Sequence, residues 1–229
     1  MAKTMPVKKD ISNKAIINLS KDKILEKIIK LTTLDIQVNT YTAFESLVKS
    51  IVSQQLSVKS AASIYARLKR LLEDEIKEIS IIATDHEALR ACGLSNRKAA
   101  YIRNTATFFL ERGLDDLMLH SLTDDEMVQL LTQIKGVGAW TVQMLLIFHF
   151  LREDVFPIGD LEIRKQMIAH YNVEEEGKDL YPALELLATK WKPYRSIASR
   201  YLWSYGHLAR STTDVKCRHI TKENPRIVD

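Results

Sequence analysis

The placement of glycine and proline constrains this chain more than any other feature. No glycine precedes Gly93, and no proline lies between Pro6 and Pro157. A β-rich chain reverses direction about every 8–12 residues and draws on these residue types to do so. Helical periodicity fills the gaps instead. Ile24, Leu25, Ile28, Ile29 and Leu31 form one apolar stripe, and Phe44, Leu47, Val48, Ile51 and Val52 form another, at the three- and four-residue spacing of a helix face. The expected fold is all-α, with about ten helices joined by short loops.

Start and stop signals point the same way. Thr42 with Glu45, Thr84 with Glu87 and Thr123 with Glu126 have the spacing of a capping box, in which two side chains satisfy orphan donors of a first helical turn. Ser57 and Ser95 are expected as further N-caps, and Gly93 and Gly113 as left-handed helix terminators. The polar, weakly periodic ends lead us to expect a flexible N-terminus over 1–14, a helical core over 15–211 and a polar tail over 212–229. There is no long internal repeat, only a weak echo between Leu94–Ala106 and a later hairpin at about 130–150, both being turns that lead into a helix.

A net charge of +4 and a pI near 8.9 are compatible with nucleic acid without requiring it. Lys59, Arg67, Lys69 and Arg70, and again Lys190, Lys192, Arg195 and Arg200, read either as a basic face or as ordinary solvated helix surface. Two cysteines, Cys92 and Cys217, cannot form a disulfide framework or a four-ligand cluster, and Cys92 reads as a buried small hydrophobe. The six histidines lack metal-ligand spacing, and His149, on an apolar helix, is expected to be a satisfied core residue. The first residues lack the apolar core of a signal peptide, and Met144–Leu151 is too short to span a bilayer.

The segment Ile134–Thr141 carries the main functional signal. Lys135-Gly136-Val137-Gly138 separates one apolar helix end from the next helix, which begins Ala139-Trp140-Thr141. Two glycines around a small apolar residue allow a tight hairpin with uncovered N–H groups beside a helix N-terminus. Such a surface suits phosphate, holding a nucleic-acid backbone without reading its sequence. An ordinary αα-turn is the competing reading of the glycines alone.

The longer string Ile-Lys-Gly-Val-Gly-Ala-Trp-Thr resembles the helix-hairpin-helix DNA glycosylase superfamily. Downstream, Asp154–Asp160 followed by Leu161–Lys165 resembles the loop that presents that family's catalytic aspartate at a helix start. Trp191–Ser196 with Tyr201–Trp203 resembles the C-terminal signature of the DNA-3-methyladenine glycosylase II branch, and Phe44–Ser57 its early helix and wedge loop. Together these cover residues 40–210 in the family's order.

The resemblance implies two helical lobes flanking an active-site cleft, in the compact form without an N-terminal β-domain. It implies excision of alkylated purines of the 3-methyladenine and 7-methylguanine type from double-stranded DNA, in base excision repair, by a monomer. Asp160 takes the catalytic position. Trp140, Trp203, Met144 and Ser57 fall at substrate-binding positions, with Tyr194 or Tyr201 as further candidates and Leu161 as a determinant of pocket breadth. Gln54, Gln55, Leu56, Lys135, Gly136, Val137, Gly138 and Thr141 fall at DNA-binding positions, with Gln55 at the wedge tip. Read without the family, Gln55 is a helix-junction cap, and Trp140 is as readily a core residue as a pocket wall. Trp191 reads as core. No cofactor or protein-ligated catalytic metal is implied beyond a monovalent cation, sodium or potassium, on hairpin carbonyls such as that of Gln133 or Ile134 together with that of Val137. The expected location is the cytoplasm, with the nucleoid, in a prokaryote, or the nucleus in a eukaryote.

Two departures narrow the chemistry. Members that also cleave the strand carry a lysine where this hairpin has Trp140, and an indole cannot form a Schiff base. Iron–sulfur members need a cysteine cluster, whereas Cys217 stands alone in its region. Glycosidic cleavage passes through a cationic sugar, and alkylation already makes the base a good leaving group. One fixed carboxylate is then the main requirement. Asp160 fits that role while also capping the helix that starts at Leu161, with Gly159 letting the backbone expose it. The rivals are a DNA-binding module without chemistry and a glycosylase for oxidised or deaminated bases.

Overall fold

The computed structural model describes residues 12–34, 36 and 40–211. Of the flexible N-terminus expected over 1–14, residues 1–11 lie outside the described residues, as do the tail over 212–229 and Cys217, whereas Ser12, Asn13 and Lys14 form the capped start of the first helix. All regular elements among the described residues are helical. They are α1 (Asn13–Leu19), α2 (Lys23–Leu31), α3 (Ala43–Ser53), α4 (Val58–Leu71), α5 (Glu78–Ala83), α6 (His86–Ala91), α7 (Asn96–Arg112), α8 (Asp116–Ser121), α9 (Asp124–Leu131), α10 (Ala139–Phe148), α11 (Leu161–Tyr171), α12 (Leu180–Ala188) and α13 (Arg195–Ser211), with a 3-10 turn at Thr189–Trp191.

The thirteen α-helices among the described residues exceed the ten or so expected, because α5, α6 and α8 are six residues each. Fewer than two turns leave too few apolar positions for periodicity to register. The chain divides into two compact units. One combines Met1–Val38 with Arg152–Asp229; the other is Asn39–Leu151.

The Asn39–Leu151 unit is built on α3, whose apolar stripe is buried throughout: Phe44, Leu47, Val48, Ile51 and Val52 are at most 2% exposed. Each such side chain contributes about 1.5–3 kcal/mol of transfer free energy. Helix α7 packs along α3, with the Phe44 and Phe109 rings 5.5 Å apart. Thr123 and Glu126 form a full capping box at α9. At α3 only half a box forms: Thr42 Oγ1 accepts from Glu45 N at 3.1 Å, and the Glu45 carboxylate takes the Tyr65 hydroxyl at 2.6 Å. The expected Thr84 cap is displaced by one residue. Thr84 closes α5, and Asp85 caps α6, its Oδ2 accepting from Glu87 N and Ala88 N. A carboxylate is the stronger acceptor at a helix N-terminus. Ser57 and Ser95 cap α4 and α7, and Gly113 ends α7 in the left-handed conformation.

The other unit joins residues far apart in sequence. Its core includes Leu25, Ile28, Ile163, Met167, Leu184, Trp191 and Leu202. Leu31 is 42% exposed, so the α2 stripe is narrower than its sequence indicates. Asp22 anchors the unit. One carboxylate oxygen caps α2 through Ile24 N and Leu25 N; the other accepts from Tyr171 Oη at 2.9 Å and Trp191 Nε1 at 3.0 Å. Trp191 is fully buried and hence a core residue. Arg195 pairs with the Asp154 carboxylate through Nε and Nη2, which ties the loop before α11 to the start of α13.

Candidate active site and nucleic-acid interface

The hairpin between α9 and α10 closes through backbone bonds: Ile134 N donates to Leu131 O, and Val137 N to Ile134 O, at 3.1 and 3.0 Å. Ile134 and Val137 point inward and are buried, while Lys135 is exposed. The two glycines are not equivalent. Gly136 has φ +105°, and a β-carbon there would lie 2.2 Å from Tyr101 Cγ. Gly138 has φ −96°, and a β-carbon there would meet nothing within 4 Å. Gly138 is the N-cap of α10 and offers no side chain to the first-turn N–H groups, so a ligand can approach them.

Past the cap, Trp140 is 40% exposed, which leaves part of its surface open to a ligand. Thr141 is 4% exposed, as is Val137. At these two expected DNA-binding positions the side chains are therefore closed to a ligand. Met144 and Thr141 line a cavity of about 230 Å³ with Ser46, Ser50, Phe148 and His149. His149 is satisfied from both sides, by Ser46 Oγ at Nδ1 (3.2 Å) and Asp116 Oδ2 at Nε2 (2.9 Å).

The loop after α3 lies in the same unit. Gln54 is the C-cap, and its Nε2 donates to Gly136 O at 3.4 Å. Gln55 has φ +56°, an uncommon conformation for a residue with a side chain. Gln55 and Leu56 are exposed. Gln55 is thus the strained residue at the tip, while Gln54 fills the junction-cap position. Ser57 Oγ is engaged within its own helix start, accepting from Ser60 N and donating to Ser60 Oγ.

In the other unit, Asp160 is the N-cap of α11 and half-buried. Its Oδ1 accepts from Ile163 N at 3.0 Å and from Trp203 Nε1 at 2.9 Å. Trp203 is held in turn against the core of that unit. Gly159 lies outside the left-handed region, and a β-carbon placed on it would meet open space. The exposure of Asp160 therefore does not depend on glycine before it. Tyr201 is 4% exposed in the core, which removes it from the pocket candidates.

The basic clusters are partly structural. Arg67 donates to Cys92 O and Ser63 Oγ, Arg195 is paired with Asp154, and burial pushes the Arg200 guanidinium down to about 10. Burial likewise pushes the Cys92 thiol up, away from reactivity. Among the described residues no cluster of His, Cys, Asp and Glu could hold a metal ion. Backbone carbonyls are a different donor class. Ile134 O, already accepting from Val137 N, has a second lone pair that suits a monovalent cation.

Two contacts at these loops escape the sequence reading. Tyr101 lies under Gly136, and Lys98 Nζ donates to Val52 O and Gln54 O at 2.8 and 2.6 Å. Both residues belong to α7, inside the Leu94–Ala106 echo, which is the one trace of them in the sequence.

Comparison with known proteins places this geometry. The model of the HhH-GPD superfamily of base excision DNA repair proteins matches residues 48–193. A curated relative from Schizosaccharomyces pombe, DNA-3-methyladenine glycosylase 1, is 34% identical over 187 residues, covering 76% of each chain. A 3-methyladenine DNA glycosylase of that yeast, solved in complex with abasic DNA, superposes with a TM-score of 0.75 at 28% identity, over 89% of this chain and 100% of that one. The crystal structure of a DNA-3-methyladenine glycosidase from Bacillus halodurans gives a TM-score of 0.72 at 34% identity, over 87% and 92%. No helix among the described residues is long and apolar enough to cross a membrane. The all-helical architecture, the hairpin and the matched span agree, and the chain belongs to the HhH-GPD superfamily of base excision DNA repair proteins.

Proposed function

We propose that this protein is a monofunctional DNA glycosylase that releases alkylated purines, of the 3-methyladenine and 7-methylguanine type, from double-stranded DNA. The observation that carries the reading is the Asp160 carboxylate, fixed at Oδ1 by Ile163 N and Trp203 Nε1. A carboxylate held by a helix N-terminus and an indole donor is preorganised, so it need not reorient as charge develops on the sugar. The relatives named above act on 3-methyladenine by their names, which supports the substrate class.

In this mechanism the hairpin N–H groups and Lys135 hold a phosphate of the duplex, and Gln55 with Leu56 enters the stack as the nucleotide turns out. The exposed Trp140 ring presents an electron-rich face suited to a cationic base, worth about 1 kcal/mol or more. Met144 lines the cavity between α3 and α10. As the bond between the sugar C1′ and the base nitrogen breaks, its electron pair leaves with the base. Asp160 stabilises the cationic sugar, and water adds at C1′, losing its proton to solvent to leave an abasic site. With tryptophan at position 140, the lysine that forms the Schiff base in strand-cleaving members is missing, and Lys135 is committed to a phosphate, so the strand stays intact. A monovalent cation on the hairpin carbonyls belongs to the same proposal and would steady the phosphate contact.

The test incubates the protein with duplexes carrying 3-methyladenine, 7-methylguanine, 1,N6-ethenoadenine, hypoxanthine or 8-oxoguanine. Release of alkylated bases is expected, with strand breaks only after alkali and no borohydride-trapped adduct. Trapping, or preferential release of 8-oxoguanine, would replace the reading with a lyase for oxidised bases. Binding without any release would leave a DNA-binding module.

A further inference from the structure

Helix α3 ends on a left-handed residue that carries a side chain. Where a helix commonly terminates with a left-handed glycine, this one places Gln55 at φ +56°. That conformation disfavours a β-carbon, so a contact from outside the loop stabilises it. Lys98 does so. Its ammonium lies between two carbonyls at the helix end, Val52 O at 2.8 Å and Gln54 O at 2.6 Å, the second belonging to the residue just before Gln55. A cation at a helix C-terminus also complements the α3 dipole.

The local setting of Lys98 makes this placement informative. It sits in the first turn of α7, behind the Ser95 cap, where the helix dipole disfavours a positive charge. Burial also pushes its ammonium below the ordinary lysine range. Neither effect is expected of a lysine kept only for solubility. One turn on, the same helix carries Tyr101, whose ring underlies Gly136 of the hairpin. Gln54 Nε2 closes the third side by donating to Gly136 O. Residues 98 and 101 share a helix face, so one rigid element supports both the Gln55 loop and the hairpin.

We propose that Lys98 is a positioning residue for lesion extrusion: by clamping the Val52 and Gln54 carbonyls it fixes the left-handed Gln55 turn in register with the hairpin, so that the loop is poised to enter the DNA stack. This rests on the glycosylase reading above. Lys98 touches neither base nor sugar in this role. It acts through Gln55, and its loss should be felt where the base must be forced out of a stacked pair, not where it is already unpaired.

The test compares wild type, Lys98→Met and Lys98→Arg in single-turnover release of 7-methylguanine. One substrate holds the lesion in a fully paired duplex and the other in a single-base bulge. Losing two charge-assisted hydrogen bonds should slow paired-duplex release about ten-fold or more in Lys98→Met. Bulge release should change less than about two-fold, and Lys98→Arg should recover most of the paired rate. If the methionine variant does not fold, Lys98→Gln, neutral but still a donor, replaces it in the same comparison. An equal loss on both substrates, or no loss on either, in a folded neutral variant overturns the proposal. Inactivity of the wild type on both substrates counts against the glycosylase reading instead.

Discussion

Replacing Gly136 with alanine tests the hairpin geometry from two directions. At φ +105° a β-carbon is strained, at about 1–2 kcal/mol by analogy with the left-handed region. The new methyl would also lie 2.2, 2.5 and 2.6 Å from three atoms of the Tyr101 ring. An aromatic ring cannot fold away as a lysine tail can, so the hairpin or α7 must shift, at about 1–3 kcal/mol for overpacking. The two contributions together predict a loss of about 2–5 kcal/mol. At about 2–4 °C per kcal/mol for a chain of this size, the melting temperature falls roughly 4–20 °C. Urea denaturation of Gly136→Ala, Tyr101→Ala and the double variant separates the contributions. Removing the ring should relieve the clash, leaving a favourable coupling of about 1–3 kcal/mol and a residual cost from φ alone. Gly138→Ala, with ordinary φ and open space, should change stability by no more than about 0.5 kcal/mol. Equal behaviour of the two glycine variants, or zero coupling with Tyr101, would refute this explanation of why the hairpin needs glycine.

Three further outcomes concern single side chains. Asp22→Ala removes the α2 cap and strands the Tyr171 hydroxyl and Trp191 indole N–H; it should cost about 2–4 kcal/mol in denaturant unfolding, and a cost near zero would contradict the anchor. Trp140→Ala should leave stability within about 1 kcal/mol, because the ring is 40% exposed, yet lower turnover of cationic bases in the release assay. His170, packed on the Tyr205 ring, is pushed below its ordinary value of 6.5 by burial. The unfolded state then binds the proton more readily, so this contribution is fully present above pH 6.5 and is lost as pH falls through the folded-state value. His170→Gln should flatten that part of the stability–pH profile, and an unchanged slope would show that other groups set it.

Residues whose role is local were the legible ones. The α3 stripe, the Ser57 and Ser95 caps and the Gly113 terminator each depend on neighbours within a few positions, and all are present. Thr84 shows the limit of such signals: Thr84 and Asp85 both sit before Glu87, and only the stronger acceptor caps α6. The convergence of Tyr171 and Trp191 on Asp22 spans 149 and 169 residues, beyond any periodicity. In the candidate site, Asp160 is conspicuous as an acid at a helix start. Lys98 is not, because a lysine on a helix reads as solvated surface until the carbonyls it serves, 44 and 46 residues away, are known.

The central claim, that a fixed carboxylate drives base release, is tested most directly with Asp160→Asn. The amide keeps the volume and can still accept from Ile163 N and Trp203 Nε1 through its carbonyl oxygen, but it carries no negative charge. Duplex affinity and single-turnover release of 7-methylguanine are measured on the same preparation. Affinity should stay within about two-fold of wild type, and release should slow about a hundred-fold or more. Wild-type release by a folded Asp160→Asn protein would contradict the claim.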